Sequence, residues 1–270
     1  MEYDGARTRT APLPVRWLAA IGRTAEGVAE HAGEIGQLVW ASILALVRLQ
    51  VPFRDIIRQI YVMGVQSIPI VMVTAILGGV VTTQQGGYQF TGSIPLYVLG
   101  SVVASSMILE LGPVLTAIVL VGRVGARITA ELGTMKVSEQ IDALHSLGRD
   151  PVAMLAAPRI VAGIIAMPIL VGIADVTGLV SGMISANIAL DLGPDSFLYG
   201  ARLFWHNWDM FYSLAKAVVF GAAIPIISVH MGFRTRGGAA GVGSTTTASV
   251  MFMTLTVLIL DALFPPLMLQ

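Results

Sequence analysis

The sequence predicts an all-α integral membrane protein with an N-terminal interfacial amphipathic helix, five transmembrane helices and a short cytosolic helix between spans two and three. Of its 270 residues, 55% are hydrophobic and 12% are charged, whereas soluble domains carry about 25% charged residues. The mean hydropathy is +0.79. The charges are also clustered, because none lies between Arg58 and Glu110 and none lies between Arg236 and Asp261.

The composition excludes several classes of function. The 16 Lys and Arg residues balance 16 Asp and Glu residues, so the chain has no net charge with which to attract nucleic acid. The absence of cysteine excludes disulfides, thiolate metal sites and cysteine nucleophiles. The four histidines are scattered without the spacing of a metal site, and no Gly-x-x-x-x-Gly-Lys-Ser/Thr motif for ATP is present.

The N-terminal part is predicted to lie outside the hydrocarbon core. Residues 1–14 are expected to be disordered, and residues 15–58 are expected to form interfacial and elbow helices. Between residues 15 and 50, apolar residues recur at helical spacing among Arg and Glu, which is typical of a helix along a membrane surface. Pro52 separates this stretch from a second short amphipathic segment.

Residues 59–270 are predicted to form the five-helix transmembrane domain. A helix needs about 20 apolar residues to cross the hydrocarbon core, and the Gln- and Gly-rich stretch 84–92 divides the first uncharged region into two crossings. Gly112 and Pro113 are expected to kink span two. The predicted spans are 65–85, 95–120, 160–188, 211–232 and 248–268.

The orientation follows from the distribution of basic residues. All but two of the 16 Lys and Arg residues lie before span one, between spans two and three, or between spans four and five. Since basic loops stay in the cytoplasm, we expect a cytoplasmic N-terminus and a periplasmic C-terminus. The bacterial inner membrane is the expected location.

The loop 122–159 contains a predicted short amphipathic helix. Ser138 is expected to cap its start, and Gly148 is expected to end it. Its apolar face is predicted to comprise Ile141, Leu144 and Leu147. Such a helix either packs against its own bundle or docks to a soluble partner.

Four ionisable residues fall in or near the spans, namely Glu110, Asp175, Lys216 and Asp261. Because such groups are costly in hydrocarbon, they normally face a bundle interior or a cavity. Each either makes a structural hydrogen bond between helices or has a functional role. Glu110 is expected to be protonated, or to pair with Lys216 or Arg123.

Taken in order, the motifs of this chain resemble those of the MlaE/YrbE-type permeases. The motifs that carry the resemblance are Glu110-Leu111-Gly112-Pro113-Val114, Gly122-Arg123-Val124-Gly125-Ala126, the run from Ala130 to Leu144, Asp150-Pro151, Pro158-Arg159, and Gly241-Val242-Gly243 before Thr245-Thr246-Thr247. The similarity covers about residues 35–268.

The resemblance implies the membrane subunit of an ABC transporter. It implies a dimer with a second permease copy, two cytosolic ATPase subunits that bind ATP and Mg, and an MCE-domain hexamer on the outer face. The cargo would be phospholipid or another hydrophobic molecule. This chain would hold no cofactor and would not itself be an enzyme. The residues expected to couple it to the ATPase are Thr134, Met135, Lys136, Glu139, Gln140, Ile141, Asp142 and Leu144.

The resemblance also implies a lipid pocket near the dimer interface. Its expected residues are Glu110, Leu109, Ile76, Leu77, Val80, Gln85, Tyr88 and Phe90. In many relatives an arginine precedes this glutamate, whereas Leu109 stands here, which removes the expected Arg–Glu pair. Tyr88 and Phe90 equally fit a plain interfacial aromatic belt.

Two rival functions predict different sequence features. An ion-gradient-driven secondary transporter would use Glu110, Asp175 and Asp261 as relay carboxylates and would carry inverted repeats, but five spans are an odd number and their halves do not match. A membrane-embedded enzyme would need polar groups clustered at one depth. The sequence therefore favours the ABC permease.

Overall fold

The computed structural model describes residues 13–90 and 94–268, and within these ranges the chain forms eleven α-helices. They are α1 (Leu13–Val47), α2 (Phe53–Met63), α3 (Ile68–Gln89), α4 (Val98–Ser106), α5 (Gly112–Leu120), α6 (Ala126–Val137), α7 (Gln140–Ser146), α8 (Ala157–Leu190), α9 (Pro194–Leu203), α10 (Asn207–Phe233) and α11 (Gly238–Met268). A 3-10 turn joins α2 to α3. Three π-helical turns, Met107–Leu111, Val121–Gly125 and Val152–Ala156, join α4 to α5, join α5 to α6 and lead into α8.

Five helical segments of the described chain are long and apolar enough to cross a membrane, as predicted. They are Phe53–Gln89, Val98–Val137, Val152–Leu190, Asn207–Phe233 and Gly238–Met268. Span two is longer than expected because its two π-helical turns continue the helix instead of ending it.

The fifth span begins earlier than predicted. The span was predicted to start at residue 248, but in the glycine-rich run after Arg236 only Gly237 and Gly238 have positive φ, and α11 starts at Gly238. Gly241 therefore lies in the first turns of the helix. A run rich in glycine favours a loop, but here the main chain turns at Gly237 and Gly238 and is helical from there on.

Successive spans alternate in direction, so the bundle has two ends. We call the end that carries α7, the start of α8 and the α10–α11 turn the α7 end. The other end, which carries α9, is the α9 end. There the Trp208 indole Nε1 donates a hydrogen bond of 2.8 Å to the Met268 carbonyl, which joins the start of α10 to the end of α11.

Helices α3 and α8 form the closest contact in the bundle, and glycines make it possible. A methyl group on Gly79 would collide with the Gly178 carbonyl oxygen. Thr83 Oγ1 donates to the Gly79 carbonyl at 2.8 Å and also lies 3.2 Å from the Gly182 carbonyl oxygen. Close approach at small residues such as Gly178 and Gly182 is typical of helix packing in membranes. Gly172, on the same helix, meets nothing within 4 Å.

The core has two parts. The larger part fills the space between α3, α5, α6, α8, α10 and α11, with Leu170 and Phe220 fully buried near its centre. The smaller part lies at the α9 end, where Leu99, Met107 and Phe197 pack together. The bundle thus buries apolar side chains internally while large apolar side chains also remain on its outer surface.

Two helices, α1 and α2, precede α3, and their placement at the membrane surface stays a prediction. Helix α1 is one continuous helix that begins at Leu13, so most of the segment predicted to be disordered lies outside the described residues. Helix α2 exposes Phe53, Ile57 and Tyr61 at a spacing of four residues, which forms an apolar stripe along one side.

Candidate functional site

A buried lysine binds oxygen atoms from two other helical segments. Lys216, on α10, is 0% exposed. Its Nζ lies 2.7 Å from Glu110 Oε2 and 2.6 Å from Asp261 Oδ1. The same Nζ donates a hydrogen bond of 3.0 Å to the Leu109 carbonyl oxygen. Of the alternatives that the sequence left open for Glu110, the structure places Lys216 beside it, and Arg123 instead donates to the Ser67 hydroxyl.

Pro113 explains why a backbone carbonyl is available to this lysine. In a regular helix the amide of residue 113 would donate to the carbonyl of Leu109, but proline has no amide hydrogen. The turn that contains Leu109 is π-helical. Lys216 therefore donates a hydrogen bond to the Leu109 carbonyl oxygen, which Pro113 cannot do.

The charges of this cluster are only partly removed from solvent. The Glu110 side chain is 44% exposed and that of Asp261 is 22% exposed, whereas Lys216 is fully enclosed. The Tyr212 ring lies 5.1 Å from Lys216 Nζ and adds a cation–π contact. The cluster contains one cation and two carboxylates, so its formal net charge is negative by one. Glu110 is the more exposed of the two carboxylates.

Asp175 extends the polar layer to α8. Its Oδ2 accepts a hydrogen bond of 3.2 Å from Ser213 Oγ, one turn before Lys216 on α10. Its Oδ1 is buried with no hydrogen-bond partner among the described residues. A methyl group on Gly112 would collide with this oxygen, so the glycine makes room for the carboxylate. The four intramembrane ionisable residues therefore lie on four spans that meet around α10.

The predicted coupling segment consists of two helical pieces. Thr134, Met135 and Lys136 belong to the last turns of α6, and Glu139 interrupts the helix with a left-handed φ of 58°. Helix α7 follows as Gln140–Ser146. The sequence therefore located the short helix correctly, although the segment Thr134–Leu147 is not a single element.

An ion pair holds α7 against the end of α6. Lys136 Nζ lies 2.9 Å from Asp142 Oδ1. Ile141 is buried and Leu144 is half-buried, whereas Leu147 is 75% exposed, so the predicted apolar face is only partly covered. Glu139 and Gln140 remain exposed.

The predicted cap at Ser138 is wrong. Its hydroxyl donates back to the Thr134 carbonyl at 2.7 Å and accepts a bond from Gln140 Nε2 at 3.0 Å. The start of α7 has no side-chain cap. The predicted end of the helix is confirmed, since Gly148 has a φ of 69°.

The residues predicted to line a lipid pocket lie on different faces. Ile76 and Val80 line a groove of about 520 Å³ between α3 and α8. Leu77 and Gln85 line a separate groove of about 660 Å³ between α3 and the α4–α5 segment. Within one copy of the chain these residues therefore do not converge, and the assignment of a single pocket stays a prediction.

The other expected pocket residues lie elsewhere. Tyr88 is 87% exposed and lines neither groove, whereas Phe90 packs against the smaller core. Glu110 and the Leu109 carbonyl belong to the Lys216 cluster. Two apolar grooves on either side of α3 and one ion cluster are thus the elements from which a transport path could be built.

A second polar cluster joins α1 to α10 and was missed from the sequence. His31 Nδ1 lies 2.8 Å from His230 Nε2. Arg234 pairs with Glu34 at 2.5 Å and with Glu30 at 3.3 Å. The spacing of residues 30, 31 and 34 on α1, and of 230 and 234 on α10, places each set on one helix face. This spacing could have predicted a polar face on each helix, but it could not have predicted that the two faces pack together.

Three of these residues offer possible metal ligands. Ligand atoms of His31, Glu34 and His230 all lie within 4.8 Å of one another. The Arg234 guanidinium already neutralises the Glu34 carboxylate, and its hydrogen bond holds the pKa of Glu34 below the ordinary value. The arrangement therefore fits an ion-pair lock between α1 and α10 better than a cation site.

Comparisons with known proteins agree with this architecture. The Permease MlaE family model matches residues 56–266. A "Probable ABC transporter permease protein" of Rickettsia bellii is 36% identical over 248 residues, which are 92% of this chain and 96% of the relative. A Synechocystis sp. protein, also named a probable ABC transporter permease, is 38% identical over 217 residues, which are 80% of this chain and 82% of the relative.

A plant relative is also similar. The chloroplast protein TRIGALACTOSYLDIACYLGLYCEROL 1 of Arabidopsis thaliana is 33% identical over 219 residues, which are 81% of this chain and 63% of the plant protein. The five membrane-spanning helices, the extent of the family match and the shared identity lead to one conclusion: this chain belongs to the MlaE family of ABC transporter permeases.

Proposed function

We propose that this permease moves phospholipid or another hydrophobic molecule between membranes, with energy from ATP hydrolysed by separate cytosolic subunits. A second permease copy would complete the transport path, and an MCE-domain partner would receive or deliver cargo on the outer face. The protein would lie in a bacterial inner membrane with a cytoplasmic N-terminus. Membership of an ABC permease family favours this function over an ion-gradient-driven carrier.

The observation that carries this proposal is the continuity of span two. One helical rod, Val98–Val137, contains the Glu110 turn and continues to the start of the loop that holds α7. Two π-helical turns interrupt its α-helical geometry, and such turns occur frequently at functional sites. A push on α7 by an ATPase would reach α6 through the Lys136–Asp142 pair.

The same rod contacts Lys216 through the turn that contains Leu109 and Glu110. A displacement of span two would move the Leu109 carbonyl and the Glu110 carboxylate relative to Lys216 on span four. The grooves on both faces of α3 lie beside the same spans, between α3 and α8 and between α3 and α4–α5. We infer that this relative motion changes the width of the grooves and so admits or releases an apolar cargo.

Charge reversal on the exposed surface of α7 tests the coupling step. We expect Glu139→Lys combined with Asp142→Lys to abolish lipid-stimulated ATPase activity in the reconstituted complex, because the first change reverses an exposed charge and the second breaks the Lys136–Asp142 pair that holds α7 against α6. Asp195→Lys is the control, since Asp195 is also exposed but lies at the α9 end.

A further variant separates docking from local folding. Lys136→Asp combined with Asp142→Lys retains an internal ion pair of opposite direction and leaves the net charge unchanged, while the two charges exchange positions. If both α7 variants keep full stimulated activity, α7 does not couple the permease to an ATPase.

A further inference from the structure

A cavity of about 330 Å³ at the α7 end collects an unusual number of arginines. It lies between α2, the π-helical turn before α6, α6 itself and the start of α8. Its charged lining comprises Arg58, Arg123, Arg127, Arg159, Asp55 and Glu131. Four guanidinium groups facing two carboxylates leave two formal positive charges at this point, in a chain whose net charge is zero.

The innermost arginine is incompletely satisfied. Arg159 is 4% exposed, yet its Nη2 lies 3.1 Å from Glu131 Oε1 and its Nη1 donates to the Leu155 carbonyl at 2.6 Å. Its Nε is buried and has no hydrogen-bond partner among the described residues. Buried polar groups are normally paired, so an orphan donor beside a cavity indicates a missing acceptor.

The outer arginines are available to a ligand. Arg58 and Arg127 are exposed, and neither has a carboxylate within ion-pair distance among the described side chains. Arg123, between them and the interior, donates to the Ser67 hydroxyl. Guanidinium groups form paired hydrogen bonds with phosphate oxygens, a geometry that ammonium groups do not provide.

The remaining wall of the cavity is apolar, and it lies next to a face that suits lipid. Val62, Ile128 and Leu155 line the cavity beside the arginines. Helix α2 forms one wall, and its outer side bears the exposed stripe Phe53, Ile57 and Tyr61. An amphipathic helix with such a stripe lies at a membrane interface, at the depth of headgroups. A soluble anion would need the arginines but not the apolar wall or the apolar stripe.

We propose that this cavity binds the phosphate of a phospholipid headgroup from the leaflet at the α7 end. Arg58 and Arg127 receive the headgroup at the entrance, Arg159 completes its coordination, and the apolar wall contacts the first carbons of the acyl chains. The inference rests on the proposed lipid-transport function. It adds a headgroup site at the opposite end of α3 from Gln85, in a region that the expected lipid pocket did not include.

Direct binding to the full chain in neutral detergent tests this site without a transport assay. Phosphatidylglycerol is the probe, diacylglycerol with the same acyl chains lacks the phosphate, and inorganic phosphate lacks the chains. We expect Arg58→Gln combined with Arg127→Gln to weaken phosphatidylglycerol binding by at least tenfold, as measured by native mass spectrometry. The matched control, Arg54→Gln combined with Arg149→Gln, removes the same charge from the same end outside the cavity and should bind normally.

Several results would overturn the proposal. Equal binding of diacylglycerol and phosphatidylglycerol, or equal loss in both double variants, would show that the arginines do not recognise a headgroup. Displacement of phosphatidylglycerol by micromolar inorganic phosphate would assign the cavity to a soluble anion. If the cavity variant loses a copurifying ATPase but keeps its lipid, the cavity is a protein contact. Because binding is measured on the permease alone, a failure of lipid transport in the complex would count against the proposed function only.

Discussion

Lys216 is the residue whose surroundings differ most from those of an ordinary membrane-spanning side chain. It is fully buried, contacts two carboxylates and supplies a hydrogen bond to the main chain of another span. A buried charge is stable only while its partners remain, because the isolated ion would have to be desolvated without compensation.

We expect Lys216→Met to destabilise the protein by about 3 kcal/mol, at the lower end of the range for broken buried pairs because Glu110 is partly exposed. The measurement is chemical unfolding in detergent. The triple variant Lys216→Met, Glu110→Gln and Asp261→Asn removes all three charges and should recover most of the loss. A single Lys216→Met variant as stable as the wild type would show that the cluster contributes nothing to stability.

The ion-pair lock between α1 and α10 predicts a pH dependence. The hydrogen bond from Arg234 lowers the pKa of Glu34 from its ordinary value of 4.5. Stability from this pair is therefore present above about pH 4.5 and is lost as the pH falls through the lowered pKa. Since the pair is exposed, we expect a contribution of only about 0.2–1 kcal/mol.

Comparison of the thermal midpoints of wild type and Glu34→Gln tests whether this stabilisation is lost at low pH. The wild type should melt at a slightly higher temperature at pH 7, and the difference should shrink as the pH falls below 4.5. Both proteins are compared in a His230→Gln background, because His230 Nδ1 lies 3.8 Å from Glu34 Oε2 and removal of the carboxylate would otherwise change the histidine as well. A difference that does not change between pH 7 and pH 3 would contradict the assignment.

At the scale of the element, the α3–α8 contact depends on the absence of side chains. A methyl group on Gly79 would collide with the Gly178 carbonyl oxygen and also lie 2.5 Å from Ser181 Oγ, and a backbone atom cannot move aside as a flexible side chain can. Helix packing in membranes depends on such close approaches because apolar surface alone gives no preference for protein over lipid.

We expect Gly79→Val to separate α3 from α8 and to lower the thermal midpoint by more than any conservative change elsewhere in span one. Gly172→Ala is the control, since nothing lies within 4 Å of that position. There the gain in helix propensity should leave stability unchanged or raise it by about 0.5–1 kcal/mol. Equal midpoints for the two variants would mean that the glycine contact is not required.

Elements were more predictable from this sequence than contacts. Uncharged stretches identified five spans, and apolar spacing with Gly148 located α7. The π-helical turns were not predictable, because they depend on which neighbouring groups satisfy the freed backbone. The start of α11 was misread since a glycine-rich run favours a turn unless packing against α6 holds it helical.

The Lys216 cluster shows the same limit at close range. The sequence placed Glu110, Lys216 and Asp261 within spans and left the pairing open. Lys216 and Glu110 are separated by 106 residues along the chain, and only the packing of spans two and four brings them together. The ion-pair lock between α1 and α10 was not predicted at all. Each helix alone shows only half of its residues, and neither half identifies the partner helix.

At the scale of the whole molecule, the spans divide into an inner and an outer set. Spans two, three and four each have 44% of their most apolar segment buried, whereas span one has 28% and span five has 11%. Large apolar side chains such as Leu77 and Ile259 are 59% exposed. The outer faces of spans one and five are therefore available to lipid or to a second copy.

The proposed dimer predicts a specific cross-link. Since the chain contains no cysteine, single-cysteine variants report on one position at a time. We expect Leu77→Cys to form a disulfide-linked dimer in native membranes under mild oxidation, because the predicted lipid pocket places α3 at the interface. Ile169→Cys, with a similar exposure of 57% on α8, should remain monomeric. The reverse pattern would place the interface on the other side of the bundle.

The bond from Lys216 to the Leu109 carbonyl has a consequence for the order of assembly. Span two leaves the ribosome long before span four. Until span four arrives, the Leu109 carbonyl has no bond from Lys216, and Pro113 offers it no amide hydrogen. We therefore expect the final geometry of span two to be settled late in biogenesis, when a residue made about a hundred positions later reaches back to the earlier helix.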